Sequence, residues 1–409
     1  MAKVRFLHIA DLHLDSPFTG LSALSDVVYK ELKDAAHESL VRIVTRAITE
    51  QVDFVLIAGD IYDKEDRSIK AQVQFYKEMK RLQEAEIDVF LIHGNHDFLE
   101  KDRDVLELPE NVFTFGETVQ CVPWKGKSGQ TVKLYGFSYT ERHVREKRLN
   151  EFQKQGEADF HIALLHGSEE TKSSEHDVYA PFSLSELKQK GFDYWALGHI
   201  HKREILSEQP GVYYPGNIQG RNRKETGAKG GTIVELSPRG ASFEFFETAP
   251  VIFGKLQIEL DGKVDQTKLF RKLEQALQDY RKGSQSYILD LEVLVENPDG
   301  VNSTDWLQMF EDEVSAAPFV WINTLKFRPK QSEQNENWQQ DLLLADELKQ
   351  SIQELQEEEN FFETIESLYL HAGVRQYLTE LDEDKQKQLL SAALVKLNET
   401  YREIEDDKK

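Results

Sequence analysis

Apolar residues along this chain fall into two textures, near-continuous short runs and runs spaced at three and four. The short runs, over residues 4–10, 54–58, 89–92, 160–165 and 194–197, are rich in Val, Ile, Leu and Phe and predict strands buried on both faces. The spaced pattern covers residues 34–51, with Leu40, Ile43, Val44, Ala47 and Ile48 on one side, and residues 68–85, predicting helices between the first three strands. That β-α-β-α-β order implies a largely parallel sheet with helices on its faces. From residue 111 the texture becomes shorter and alternating, and strands at 112–115, 119–122, 132–137, 212–214, 232–236 and 242–246 are expected to complete a second sheet. The economical architecture for residues 1–250 is α/β, a two-sheet β-sandwich flanked by helices.

Past Pro250 the pattern reads strand, helix, strand, helix, strand, a small α+β capping domain over residues 251–330. Residues 331–340 are polar, without an aliphatic side chain, and read as a linker. Residues 341–409 read as helices only. The last of these, near 384–404, carries Leu390, Leu394, Leu397, Tyr401 and Ile404 as an apolar stripe on an acidic background, which must bury itself against something.

Charge sharpens this division. The net charge of the 409 residues is −23, which argues against a protein that simply coats nucleic acid. The acidity is concentrated in residues 331–409, so any polyanion site is expected elsewhere. No apolar run approaches the ~20 residues of a membrane span. A lone cysteine, Cys121, makes no intramolecular disulfide and suits a reducing cytoplasm.

The chemistry sits where the buried runs stop. Residues 89–97 read Val-Phe-Leu-Ile-His-Gly-Asn-His-Asp, an apolar strand that ends by releasing Asn95, His96 and Asp97. The first strand runs into Asp11 and His13, the second into Asp60 and Asp63, and the later two into His166 and into His199 and His201. His8, inside the first strand, reads as a packed histidine. Parallel strands deliver ligand-binding residues at their carboxyl ends, and five such deliveries in one domain point to one site. Oxygen and imidazole donors without thiolate suit Mn²⁺, Fe²⁺ or Zn²⁺ in a two-metal site better than a structural zinc.

These blocks, Asp-x-His, Gly-Asp-x-x-Asp, Gly-Asn-His-Asp, His and Gly-His-x-His in that order, resemble the calcineurin-like metallophosphoesterase superfamily over residues 5–205. The stretch Phe6-Leu7-His8-Ile9-Ala10-Asp11-Leu12-His13-Leu14, with the added domain and helical tail, is similar to the SbcD-like DNA-repair exonucleases of YhaO type. The resemblance implies that Asp11, His13, Asp60 and His201 hold one divalent ion, expected to be Mn²⁺, and that Asp60, Asn95, His166 and His199 hold a second. It further implies a DNA substrate, a homodimer, and carboxy-terminal helices that grip an SMC-like coiled-coil ATPase. Two ions against the carboxylates of Asp11 and Asp60 would leave a positive well for phosphate and activate a water for in-line attack. His96, not a ligand in this pattern, is the candidate to protonate the leaving oxygen, with Asp97 fixing its tautomer. Asp63 is the candidate acceptor that orients a ligand imidazole.

Residues 216–231 place Arg221, Arg223, Lys224 and Lys229 among glycines that let backbone approach phosphate, a candidate DNA contact or a solvated hairpin. The leading expectation is a Mn-dependent DNA exonuclease. Its alternatives are a small-molecule phosphodiesterase or nucleotide phosphatase with the same site, and a non-catalytic structural subunit.

Overall fold

In the computed structural model, residues 2–15, 24–63, 68–99, 106–170, 179–261, 265–297, 302–312, 314 and 316–330 are described. The linker expected at 331–340 and the helices expected in 341–409 lie outside the described residues. The chain opens with β1 (Val4–Ile9), α1 (Asp26–Thr49), β2 (Phe54–Ala58), α2 (Ile69–Glu84), β3 (Asp88–Ile92) and the short β4 (Val112–Thr114). These four strands pair in parallel, as the alternation with helices requires. There follow β5 (Gln120–Lys125), β6 (Thr131–Gly136), β7 (Phe160–His166), α3 (Leu184–Gln189), β8 (Tyr194–Gly198), β9 (Glu204–Glu208), β10 (Gly211–Tyr214), β11 (Gly230–Ser237) and β12 (Gly240–Glu247).

Two six-stranded sheets result, in the orders β12-β11-β1-β2-β3-β4 and β5-β6-β7-β8-β10-β9. The expectation that residues 112–115, 232–236 and 242–246 complete the second sheet is corrected. They form β4, β11 and β12 of the first, where β4 extends the parallel run beyond β3 and β11 covers the free edge of β1 in antiparallel register. The strand alternation serves both faces: Val234 and Leu236 turn between the sheets, and Ile233 turns outward.

Alternation also sets which side chains meet. Phe6, Phe54, Leu56, Phe90 and Ile92 pack between the sheets against Val132, Leu134, Ile162, Leu164 and Tyr194. Their neighbours Leu7, Ile9, Val55, Ile57 and Leu91 face outward under α1 and α2. Burying each such side chain contributes about 1.5–3 kcal/mol, which makes register slips costly. His8 lies on the inward parity, fully buried, 3.0 Å from the Tyr194 hydroxyl, and burial pushes its pKa down to about 3. It is a packed, neutral histidine.

Helix α1 starts earlier than the periodicity over 34–51 suggests, capped by Ser25, whose hydroxyl accepts from the Val28 amide. Its first turns present Val28, Leu32 and Ala35 to a second core with Val251, Phe253, Ile288 and Trp321. Those residues come from β13 (Val251–Glu259), β14 (Ser286–Val295) and β15 (Val320–Pro329), a three-stranded parallel sheet whose crossovers are α4 (Gln266–Arg281) and α5 (Ser303–Asp312). Leu269, Leu273, Leu277 and Phe310 of the two helices cover its other face. Residues 142–148 contain no helix. Val144 is buried there, its carbonyl accepts from the Ala180 amide, and Arg148 lies over the Phe137 ring.

Candidate metal centre

Side chains released at the carboxyl ends of β1, β2, β3, β7 and β8 meet at one place. Past its last residue, β1 still runs beside the turn after β2, with Asp11 and His13 donating their amides to the carbonyls of Gly59 and Asp60 at 3.0 Å each. His166, the last residue of β7, keeps the inward parity of Ile162 and Leu164 and crosses to the other sheet, donating Nδ1–H to the Ala58 carbonyl at 2.9 Å. Glycine is required at this crossing. A Cβ on Gly198 would lie 1.9 Å from the Ala58 carbonyl oxygen, and one on Gly94 would lie 2.3 Å from Asp60 Oδ1 and 2.7 Å from His166 Nε2. The backbone is strained here as well: Asp11, His13, Asp60 and His199 have φ of 52°, 45°, 54° and 97°. Each such residue costs on the order of 1–3 kcal/mol, which the surrounding packing must impose.

The donors converge in overlapping groups. Donor atoms of Asp11, His13 and His201 lie within 4.8 Å of one another, and so do those of Asp11, Asp60 and His166. Asn95 Oδ1 stands 3.0 Å from His166 Nε2 and 3.2 Å from His199 Nδ1. The His199 amide donates to both oxygens of Asp11, at 3.0 and 3.2 Å. Asp60 faces both groups, with Oδ2 3.8 Å from His13 Nε2 and 3.4 Å from His166 Nε2.

Tautomers decide whether a cation fits. His13 Nδ1 is held by Asp63 Oδ1 at 3.1 Å and His201 Nδ1 by Glu225 Oε1 at 2.9 Å, so in the neutral rings both Nε2 atoms are lone-pair acceptors. Those two acceptors face each other at 3.1 Å, an arrangement that repels until a cation sits against both. His166 repeats the pattern, its Nε2 facing the oxygens of Asn95 and Asp60. The same demand for positive charge shows in its pKa: burial lowers it, but the Asp60 carboxylate outweighs burial and raises it to about 9. At His13 burial wins and the pKa falls, which leaves the imidazole neutral and ready to ligate. The residues present fit two divalent ions better than they fit protons.

His96 and Asp97 part company. The expectation that Asp97 fixes the His96 tautomer is corrected: the carboxylate at His96 Nδ1 is Asp63, at 2.7 Å. Asp97 turns back to accept the amides of Ile61 and Gly94 at 2.8 Å and meets His93 Nδ1 at 3.1 Å, bracing the turns that carry Asp60 and Asn95. Burial opposes protonation of His96, yet the bond to Asp63 and the charge of Asp60 raise its pKa overall. Asp63 itself is held far below the ordinary carboxylate range: burial raises it, and the His13 and His96 bonds outweigh that.

The basic loop is corrected in part. Arg221 points inward, its Nη2 2.6 Å from Asp63 Oδ2, and Lys229 is buried, donating Nζ to the His201 carbonyl at 2.7 Å. Burial lowers the Lys229 pKa. Arg223 and Lys224 are exposed and remain available to a polyanion. Sequence reasoning missed Glu225. This carboxylate, held at about 2 because bonds from His201 and its neighbours overcome burial, orients His201. The signal for it in the sequence is an acidic residue inside a basic, glycine-rich stretch.

Residues 4–203 match the calcineurin-like phosphoesterase family. The chain is 38% identical over 330 residues to the uncharacterised metallophosphoesterase YhaO of Bacillus subtilis, covering 78% of this chain and 81% of that one. It is 28% identical over 255 residues to the DNA double-strand break repair protein Mre11 of Sulfurisphaera tokodaii, covering 58% and 61% respectively. The corresponding protein of Sulfolobus acidocaldarius is 24% identical over 317 residues, 71% of this chain and 75% of that one.

Proposed function

From a chain that belongs to the calcineurin-like phosphoesterase family, we infer a dimetal phosphodiesterase that cleaves DNA, with Mn²⁺ as the working metal. The observation that carries the hydrolase is the facing pair of acceptor nitrogens on His13 and His201 beside the shared carboxylate of Asp60. Asp11, His13 and His201 would hold one ion and Asn95, His166 and His199 the other, with Asp60 common to both. When bound, two such ions supply an activated water and neutralise the charge of a phosphate. His96 supplies the proton: its Nδ1 is engaged by Asp63, and its partly exposed ring leaves Nε2 for the departing oxygen. Asp63, bonded to His13 and His96 together, keeps both rings in register with each other.

Support for DNA comes from the Mre11 relatives, named as DNA double-strand break repair proteins, and from the exposed Arg223 and Lys224 beside the centre. The apolar stripe of residues 384–404 supports docking of a coiled-coil ATPase by the tail, which would bring a further DNA-holding surface to so acidic a chain. Incubation with Mn²⁺ and end-labelled single- and double-stranded DNA, beside a generic phosphodiester dye, tests this reading. Cleavage of the dye with no attack on either DNA would replace it with a small-molecule phosphodiesterase. A chain ending at Gln331 is expected to keep dye hydrolysis and to lose copurification with the ATPase.

A further inference from the structure

The two groups of donors are supported in different ways. His166 is anchored on the backbone of β2 through the Ala58 carbonyl, and Asn95 lies between His166 and His199. His13 and His201 instead take their orientation from side chains that one loop, residues 217–225, supplies or holds. Glu225 accepts from His201 Nδ1 and is itself fixed by Asn217 Nδ2 at 2.6 Å, Asn222 Nδ2 at 2.9 Å and the Arg221 amide at 2.9 Å. Arg221 reaches from the same turn to Asp63 Oδ2, which leaves Asp63 Oδ1 to His13 Nδ1. One loop therefore decides whether two imidazole lone pairs converge.

We propose that residues 217–225 form a clasp that governs the metal position at Asp11, His13 and His201 and leaves the position at Asn95, His166 and His199 alone, with Arg221 and Glu225 as its positioning residues. The proposal rests on the two-metal reading above. Its physical basis is the outer carboxylate: an imidazole whose N–H is held by a charged acceptor is a better-aimed and more basic ligand, and losing that acceptor costs about 10–100-fold in metal affinity. Without the Arg221 guanidinium, Asp63 loses a charged bond to Oδ2 that helps aim its Oδ1 at His13. Among the described residues, His166 bonds to Ala58 and Asn95 and makes no hydrogen bond to the loop. It follows that displacing Arg221 from Asp63, or Glu225 from His201, weakens one position of the pair and spares the other.

The test is Mn²⁺ titration of the full-length chain by calorimetry, with bound metal measured on the same samples. The wild type should take up two ions. Arg221→Gln and Glu225→Gln should each weaken one binding step by about 10-fold or more and leave the other within about twofold. Arg221→Lys should recover part of the loss, since it keeps the charge but not the rigid fork. Excess Mn²⁺ should restore kcat to Arg221→Gln, which a directly catalytic arginine would not permit. Unchanged affinities in both variants, or equal weakening of both steps in protein with an unaltered circular dichroism spectrum, would overturn the clasp. Should Arg221→Gln fail to fold, Glu225→Gln decides the matter on the same readout. A wild type that binds fewer than two ions would overturn the two-metal reading itself, and the clasp with it.

Discussion

Stripping both ions from the protein should make its stability fall as pH rises from about 6.5 to about 9, the opposite of the usual acid sensitivity. The group responsible is His166, fully buried and 3.4 Å from Asp60 Oδ2, with its pKa raised from 6.5 to about 9. A group whose folded pKa lies above its unfolded value contributes stability that is complete below the unfolded pKa and is lost as pH climbs through the folded one. At about 1.4 kcal/mol per pH unit, a rise of this size is worth about 3 kcal/mol below pH 6.5, about 2 kcal/mol near pH 7.5 and little above pH 9. The depressed pKa of Asp60 belongs to the same ion pair and is counted once. His8 acts in the other direction: its pKa of about 3 gives a contribution present above 6.5 and lost below it, so the window for His166 lies on the alkaline side. Urea unfolding of the metal-free chain at closely spaced pH values reads the effect, and His166→Asn should flatten it. Added Mn²⁺ should flatten it too, because a ligating imidazole carries no proton to lose. Metal-free wild type whose stability is level or rising between about pH 7 and 9 would refute the reasoning.

Replacing Asp60 with Asn should cost both ions and all hydrolysis, whereas His96→Asn should keep both ions and lose about 100-fold or more in kcat, read by metal analysis beside rate. A Cβ at Gly94 would collide with Asp60 and His166, so Gly94→Ala should lose Mn²⁺ binding while its far-ultraviolet circular dichroism stays that of the wild type. If Arg223 and Lys224 contact phosphates, neutralising both should flatten the salt dependence of duplex-DNA binding by roughly 0.9 per contact on the log–log slope and leave dye hydrolysis intact.

Much of this centre was legible in the sequence because parallel strands leave little freedom about where their ends go. Asp11, His13, Asp60, Asn95, His166, His199 and His201 each follow an apolar run, and the sheets bring those ends together. What escaped was long-range partnering. Adjacency in the chain suggested Asp97 for His96, but the turn sends the Asp97 carboxylate back to the Ile61 and Gly94 amides, and Asp63 arrives from another strand. Charge in residues 216–231 suggested phosphate contacts, but Arg221 and Lys229 are spent on Asp63 and the His201 carbonyl. Alternation in residues 230–247 foretold strands without saying which sheet edge they would cover, since both edges accept the same apolar pattern. The early start of α1 was hidden because Val28, Leu32 and Ala35 serve a different core from Leu40, Ile43 and Val44.

The central claim is that two ions share the Asp60 carboxylate, and electron paramagnetic resonance of the Mn²⁺-loaded protein tests it most directly. Two Mn²⁺ ions bridged by one carboxylate are exchange-coupled and give a multiline signal whose hyperfine spacing is half that of an isolated ion. The wild type is expected to show that signal, and Asp60→Asn to lack it. A fully loaded wild type that shows only the spectrum of isolated Mn²⁺ would contradict the account.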